Sequence, residues 1–129
     1  MADTITIKAK KSPRFEGNTI KWYNGNTFQY TLTFNIVDEA TGEDVEILPE
    51  HKIVVGWFNK RGAITEFVFD NLTPYLDENG NRVVSVVIDM DEEKTALFDV
   101  GTYTYCIKYY GEFTTTVGAN MTAEVEKCH

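Results

Sequence analysis

Apolar and polar residues alternate along most of this chain with a period of two. The clearest run covers residues 27–37, where the apolar positions are Phe28, Tyr30, Leu32, Phe34 and Ile36. Successive side chains of a β-strand point to opposite faces, so this run predicts a strand with one buried face. Comparable runs predict further strands over residues 4–9, 18–23, 51–59, 64–70, 83–90, 102–110 and 113–125.

Glycine-containing turns separate these predicted strands. Asn79-Gly80 is the strongest turn signal, because this dipeptide tolerates the positive φ that tight hairpin turns require. Gly111-Glu112 lies between the last two strands and predicts a closing hairpin. Only residues 89–98 have a helical pattern. Asp89 can cap a helix there and Glu92 follows three residues later, so one short helical turn is expected.

Seven or eight short strands without strand–helix–strand alternation indicate an all-β fold, either an antiparallel sandwich or a closed barrel. Two residues favour an immunoglobulin-like sandwich. Tyr103 stands where such folds place a tyrosine that bonds to upstream backbone, and Trp57 matches their buried central tryptophan. An antibody-type disulfide is not expected, since Tyr105 and Leu32 occupy the facing positions. The predicted core residues are Trp57, Tyr103, Tyr105, Leu32 and Phe34.

The length of 129 residues suits a single domain over residues 1–129 with one core. Hydrophobic residues make up 43% of the chain, which is enough for that core without a metal or a disulfide. The two cysteines, Cys106 and Cys128, are predicted to be free thiols. The sequence has no hydrophobic leader and no apolar run of the roughly 20 residues that a membrane span needs, which predicts cytoplasmic synthesis and no membrane partner.

The net charge of −8 excludes one class of partner and points toward another. A strongly acidic surface repels phosphate backbones, so nucleic acid is not an expected partner. Basic residues cluster in an N-terminal arm of about residues 1–17, at Lys8, Lys10, Lys11 and Arg14. Such an arm suits contact with an acidic neighbour, and a solvated tail is the alternative.

No set of residues in the sequence supports catalysis. A nucleophilic site needs a histidine beside an orienting acid, yet the only histidines are His129 and His51, and His51 is predicted to lie at the surface in a polar turn. The acidic residues 89–93 favour a helix start over a metal site, and residues 75–86 lack the terminal acids of an EF-hand loop. The sequence therefore predicts a protein that is not an enzyme and has no cofactor or metal.

Adjacent aromatic residues provide the candidate binding positions. Trp22-Tyr23 and Tyr109-Tyr110 lie on predicted strands, so one ring of each pair must face away from the other. Exposed aromatic rings suit protein interfaces and can also stack on sugars. The predicted interaction surface consists of Lys8, Lys10, Lys11, Arg14, Trp22, Tyr23 and Tyr110.

Several of these segments together resemble the immunoglobulin-like domains of tailed-bacteriophage particles, found in baseplate upper proteins and in capsid or fibre accessory proteins. The resemblance rests on Gly25-Asn26-Thr27-Phe28, Gly42-Glu43, Thr95-Ala96-Leu97-Phe98 and Gly101-Thr102-Tyr103-Thr104-Tyr105, within residues 18–126. It implies a virion structural protein, made in the host cytoplasm, that contacts other virion proteins in many symmetric copies. A carbohydrate-binding or adhesion module that recognises a cell-surface glycan is the alternative.

Overall fold

A computed structural model describes residues 13–38, 40–112 and 114–127, without the side chains of residues 115 and 117–120. The strand expected over residues 4–9, most of the basic arm, and Cys128 lie outside the described residues.

The described chain folds into two β-sheets packed face to face. The strands are β1 Arg14–Glu16, β2 Thr19–Tyr23, β3 Phe28–Phe34, β4 Lys52–Asn59, β5 Gly62–Phe69, β6 Tyr75–Leu76, β7 Arg82–Met90, β8 Gly101–Tyr110 and β9 Thr114–Glu126, and the helix α1 is Glu92–Thr95. A six-stranded sheet has the order β1-β2-β9-β8-β4-β5, and a three-stranded sheet has the order β3-β7-β6. The all-β sandwich predicted from the sequence is confirmed.

One pair of strands departs from the expected antiparallel arrangement. β2 and β9 run parallel, with Thr19 beside Thr122 and Tyr23 beside Glu126. Parallel neighbours need a long connection between them, and here the whole body of the domain provides it. The sandwich is therefore antiparallel, as expected, except at this pair.

The turns and the helix agree with the sequence in position but differ in detail. Gly80 has φ +81° and turns β6 into β7, as the Asn-Gly signal predicts. The two short strands β1 and β6 were not expected, so the described residues contain nine strands instead of seven or eight. Asp91, and not Asp89, caps α1, because its carboxylate accepts from the Lys94 N–H at 2.9 Å.

The core lies between the sheets and is dominated by aromatic rings. Trp57 has no exposed surface, and its ring stacks on Tyr105 with centroids 5.0 Å apart. Tyr105 and Tyr103 are also buried. Leu32 and Phe34, expected in the core, are only partly buried against it. They occupy the last half of β3, which among the described strands has β7 as its one neighbour.

A pair of tyrosine hydroxyls joins the two sheets at the centre of the core. The Tyr30 hydroxyl of β3 lies 2.8 Å from the Tyr105 hydroxyl of β8. Tyr30, and not Leu32 as expected, is thus the residue that faces Tyr105 across the sandwich. Both hydroxyls would be costly to bury without a partner, and each provides one for the other.

Tyr103 closes the turn that leads into β8. Its hydroxyl donates to the Asp99 carbonyl at 2.8 Å and accepts from the Asp99 N–H at 2.9 Å. The sequence predicted this bond to upstream backbone from the position of Tyr103 alone. The Tyr103 side chain therefore fixes the backbone of Asp99 relative to the start of β8.

We expect Tyr103→Phe to lower the free energy of unfolding by about 1–3 kcal/mol, since it removes both bonds to Asp99 and leaves the ring in place. The matched control is Tyr75→Phe, whose hydroxyl bonds to Ser85 on an exposed surface and should cost less than about 0.5 kcal/mol. Urea denaturation of the three proteins measures the difference. Equal losses for the two variants would contradict a special role for Tyr103.

Candidate functional site

The predicted interaction surface is brought together only in part. Arg14 of β1 pairs with Glu126, and its guanidinium lies 4.9 Å from the centre of the Tyr23 ring, which is 40% exposed. Lys8, Lys10 and Lys11 lie outside the described residues. Arg14 and Tyr23 therefore form a small patch at the β1 edge of the larger sheet.

Ion pairs surround this patch on the outer face of the same sheet. The Lys21 ammonium lies 2.6 Å from a Glu16 oxygen and 3.6 Å from a Glu124 oxygen. The hydrogen bond between Lys21 and Glu16 lowers the pKa of the Glu16 carboxyl and raises the pKa of Lys21. Because these groups are solvated, the pairs fix the orientation of side chains more than they stabilise the fold.

Of the aromatic residues predicted to form the interaction surface, Trp22 is buried, and Tyr23 and Tyr110 lie far apart. Trp22 is only 3% exposed and packs on Phe28 and Phe98, so it belongs to the core and not to a binding surface. Tyr110 is half-buried, and the Lys52 ammonium lies 5.2 Å from its ring centre. Tyr23 and Tyr110 lie near opposite ends of the larger sheet, about 30 Å apart along β8. No single sugar could contact both rings.

His51, expected at the surface, is buried with 8% of its area exposed. Its Nδ1 accepts from the Leu48 N–H at 3.1 Å and lies 2.7 Å from the Tyr109 hydroxyl. The ring therefore joins the loop before β4 to strand β8. The sequence pattern missed this role because Tyr109 is far away along the chain.

A shallow cleft of about 490 Å³ lies beside the turn between β4 and β5. Its lining includes Phe58, Lys60 and Arg61, together with hydroxyls of threonines on β8 and β9. None of the described residues that line it is a His, Cys, Asp or Glu.

The acidic residues are dispersed in the described part of the chain. There, no three His, Cys, Asp or Glu side chains come together in an arrangement that could hold a metal ion. Asp91 is engaged in capping α1, and this bond to the Lys94 N–H lowers the pKa of the Asp91 carboxyl. No helix in these same residues is long and apolar enough to cross a membrane.

Strand β5 presents an edge of the larger sheet that could bind another strand. It forms one edge of the larger sheet and pairs with β4 alone among the described residues. Its eight residues span about 26 Å. Natural edge strands are usually protected by lysines, prolines or short length. β5 contains neither lysine nor proline, and Glu66 is its one charged residue.

Side chains on both faces of β5 extend this accessible edge. On the outer face Val68 is 58% exposed, beside Val54 of β4. On the inner face Phe67 and Phe69 are only half-buried, with their rings stacked 6.3 Å apart. A strand added along β5 would therefore cover apolar surface on both faces and satisfy the free backbone groups.

Comparison with known proteins identifies no relative of this chain. No protein-family model, curated protein or solved structure significantly matches this chain. The candidate site therefore rests on the geometry of β5 and its neighbours. The sequence predicted a strand over residues 64–70, but its place at the edge of the sheet depends on pairings between distant segments.

Proposed function

We propose that the protein is a non-enzymatic structural component of a tailed-bacteriophage particle, and that it acts through protein–protein contacts along the edge of β5. The observation that carries the proposal is the edge of β5, which is eight residues long with one charge and has no second neighbouring strand among the described residues. Adding a strand to such an edge is a common mode of recognition between proteins. In a particle it would join this domain to a neighbouring subunit.

Strand order supports an immunoglobulin-like assignment within this proposal. In that fold one sheet contains strands B, E and D, and the other contains G, F, C and, in variable-type domains, C′. The orders β3-β7-β6 and β9-β8-β4-β5 correspond to these two sets. Trp57 on β4 and Tyr103 on β8 then stand at the positions of the central tryptophan and the tyrosine corner. The Tyr30–Tyr105 pair replaces the disulfide of antibody domains.

The surface chemistry supports assembly over catalysis. The cleft beside β4 and β5 has hydroxyl and cationic groups, but no His, Asp or Glu is among the described residues that line it. The resemblance of the sequence to virion domains gives the class of particle, and a capsid, neck, tail or baseplate position is compatible with it. Such particles contain many symmetric copies of each component, so one contact is used repeatedly.

Thr65→Lys tests the role of the edge. Thr65 lies opposite the buried Trp57 and therefore faces inward. In the free domain a lysine there can reach water past the edge, but an added strand would bury its charge. We expect the protein with Thr65→Lys, tagged and expressed in its native source, to co-sediment with particles at least tenfold less than the unsubstituted protein.

Thr31→Lys is the matched control, because Thr31 lies on edge strand β3 but is exposed on the outer face. This variant should be incorporated normally. Circular dichroism of both variants checks that each is folded. If the unsubstituted protein sediments free of any particle, or if Thr65→Lys is incorporated as well as Thr31→Lys, the proposal is wrong.

A further inference from the structure

The two ends of β5 carry opposite charges. Lys60 and Arg61 form the turn immediately before the strand, and Asp70 follows immediately after it. Pairing two copies of β5 in parallel would place like charges together at each end. Antiparallel pairing places the basic turn of one copy toward the acidic end of the other, which favours association of the two copies.

We propose that the partner at this edge is a second copy of this chain, paired antiparallel through β5 about a two-fold axis at Phe67. The inference rests on the proposed assembly function and names the partner. The two larger sheets would then form one continuous sheet. The contact is isologous and closes on itself, as in most symmetric dimers.

Charge and regularity select the register centred on Phe67. A register centred on Glu66 places the two Glu66 carboxylates opposite each other, and one centred on Val68 places Glu66 opposite Asp70 of the other copy. Like charges directly opposite each other destabilise a strand pair. A register centred on Thr65 places the bulged Ile64 of each copy inside the paired region, where the ladder is irregular.

The register centred on Phe67 avoids both like-charge pairs and leaves the bulged Ile64 outside the paired region. On the outer face Glu66 of each copy lies beside Val68 of the other, so no charges of the same sign are opposed. On the inner face the Phe67 rings meet at the axis, and Thr65 lies beside Phe69. The aromatic rings that are half-buried in one copy thereby become covered by the second.

Charged substitutions at positions 68 and 66 test both the identity of the partner and the register of the paired strands. Val68→Glu places a carboxylate beside Glu66 of the other copy, twice per dimer, and should raise the dissociation constant at least tenfold. Adding Glu66→Lys to that variant places opposite charges side by side and should restore the dimer. Sedimentation equilibrium over a concentration series measures the mass against 14.7 kDa for one chain.

Val87→Glu is the matched control, because Val87 is 50% exposed on the other sheet and Val68 is 58% exposed. It should leave the dimer unchanged. Dimers that resist Val68→Glu, or that are not restored by the double substitution, would overturn the proposed pairing. A monomeric protein whose incorporation into particles still depends on Thr65 would overturn it too, while leaving the assembly function in place. A dimer absent from any particle would support the pairing and contradict the assembly function.

Discussion

Trp57→Ala is expected to lower the free energy of unfolding by about 3–5 kcal/mol, the range for large aromatic residues removed from a packed core. The Trp57 side chain is completely buried. Its ring contacts Tyr105 with centroids 5.0 Å apart, Phe67 at 5.6 Å and Phe98 at 6.1 Å. Alanine removes all three contacts and leaves a cavity between the sheets. Urea denaturation with linear extrapolation measures the loss.

Trp57→Phe separates ring packing from the indole N–H. That N–H is buried and has no hydrogen-bond partner among the described residues, so replacing it sacrifices no bond. Phenylalanine keeps an aromatic ring against Tyr105, and we expect it to cost less than half as much as alanine. Val87→Ala, at a half-exposed position, should change stability by less than about 0.5 kcal/mol. A loss below about 1 kcal/mol for Trp57→Ala would refute the central position assigned to Trp57.

Alkaline pH is expected to unfold the domain through Tyr30 and Tyr105. Burial raises the pKa of Tyr105 to about 12, partly offset by its hydrogen bond with Tyr30, and burial raises the pKa of Tyr30 further still. Both groups hold their protons more tightly in the folded state than at the ordinary value of 10.0. The contribution of Tyr105 to stability is therefore complete below about pH 10 and is lost as the pH rises through about 12, whereas that of Tyr30 is lost only at still higher pH. Tyr105 alone accounts for about 2–3 kcal/mol.

The double variant Tyr30→Phe/Tyr105→Phe provides the comparison. It removes both hydroxyls of the pair and leaves neither without its partner, so its stability near pH 8 should change little. Its stability should fall less between about pH 10 and 12. Urea midpoints across this range, together with the ultraviolet absorbance of tyrosinate, measure both effects. Parallel loss of stability in the two proteins would show that other groups control alkaline unfolding.

Local patterns in the sequence predicted the elements that depend on local physics. Alternation over residues 27–37 predicted β3, and Asn79-Gly80 predicted the turn into β7, since each signal reflects backbone geometry within a few residues. A bond from Tyr103 to upstream backbone was predicted from its position, and its partner, Asp99, lies four residues away. These features depend little on the rest of the chain.

Features that depend on distant segments could not be predicted in this way. Alternation required Trp22 and Tyr23 to face opposite sides, but only the pairing of β2 with β9 determines which ring is buried. The polar neighbours of His51 indicated a surface residue, whereas its partner Tyr109 belongs to another strand. The edge position of β5, on which the candidate site depends, likewise follows from the order of the strands and not from its own residues.

The parallel pair of β2 and β9 has a consequence for synthesis in the cell. Thr19 and Thr122, whose hydroxyls lie 2.8 Å apart, are separated by 103 residues. At ribosomal rates roughly 5 to 20 seconds pass between the synthesis of one and of the other. Throughout that interval a nascent β2 has β1 beside it but lacks β9, its neighbour on the other side. The synthesis of β9 thus completes the pairing of β2 in the larger sheet, and a nascent chain that stalls before β9 would leave β2 available to chaperones or to wrong partners.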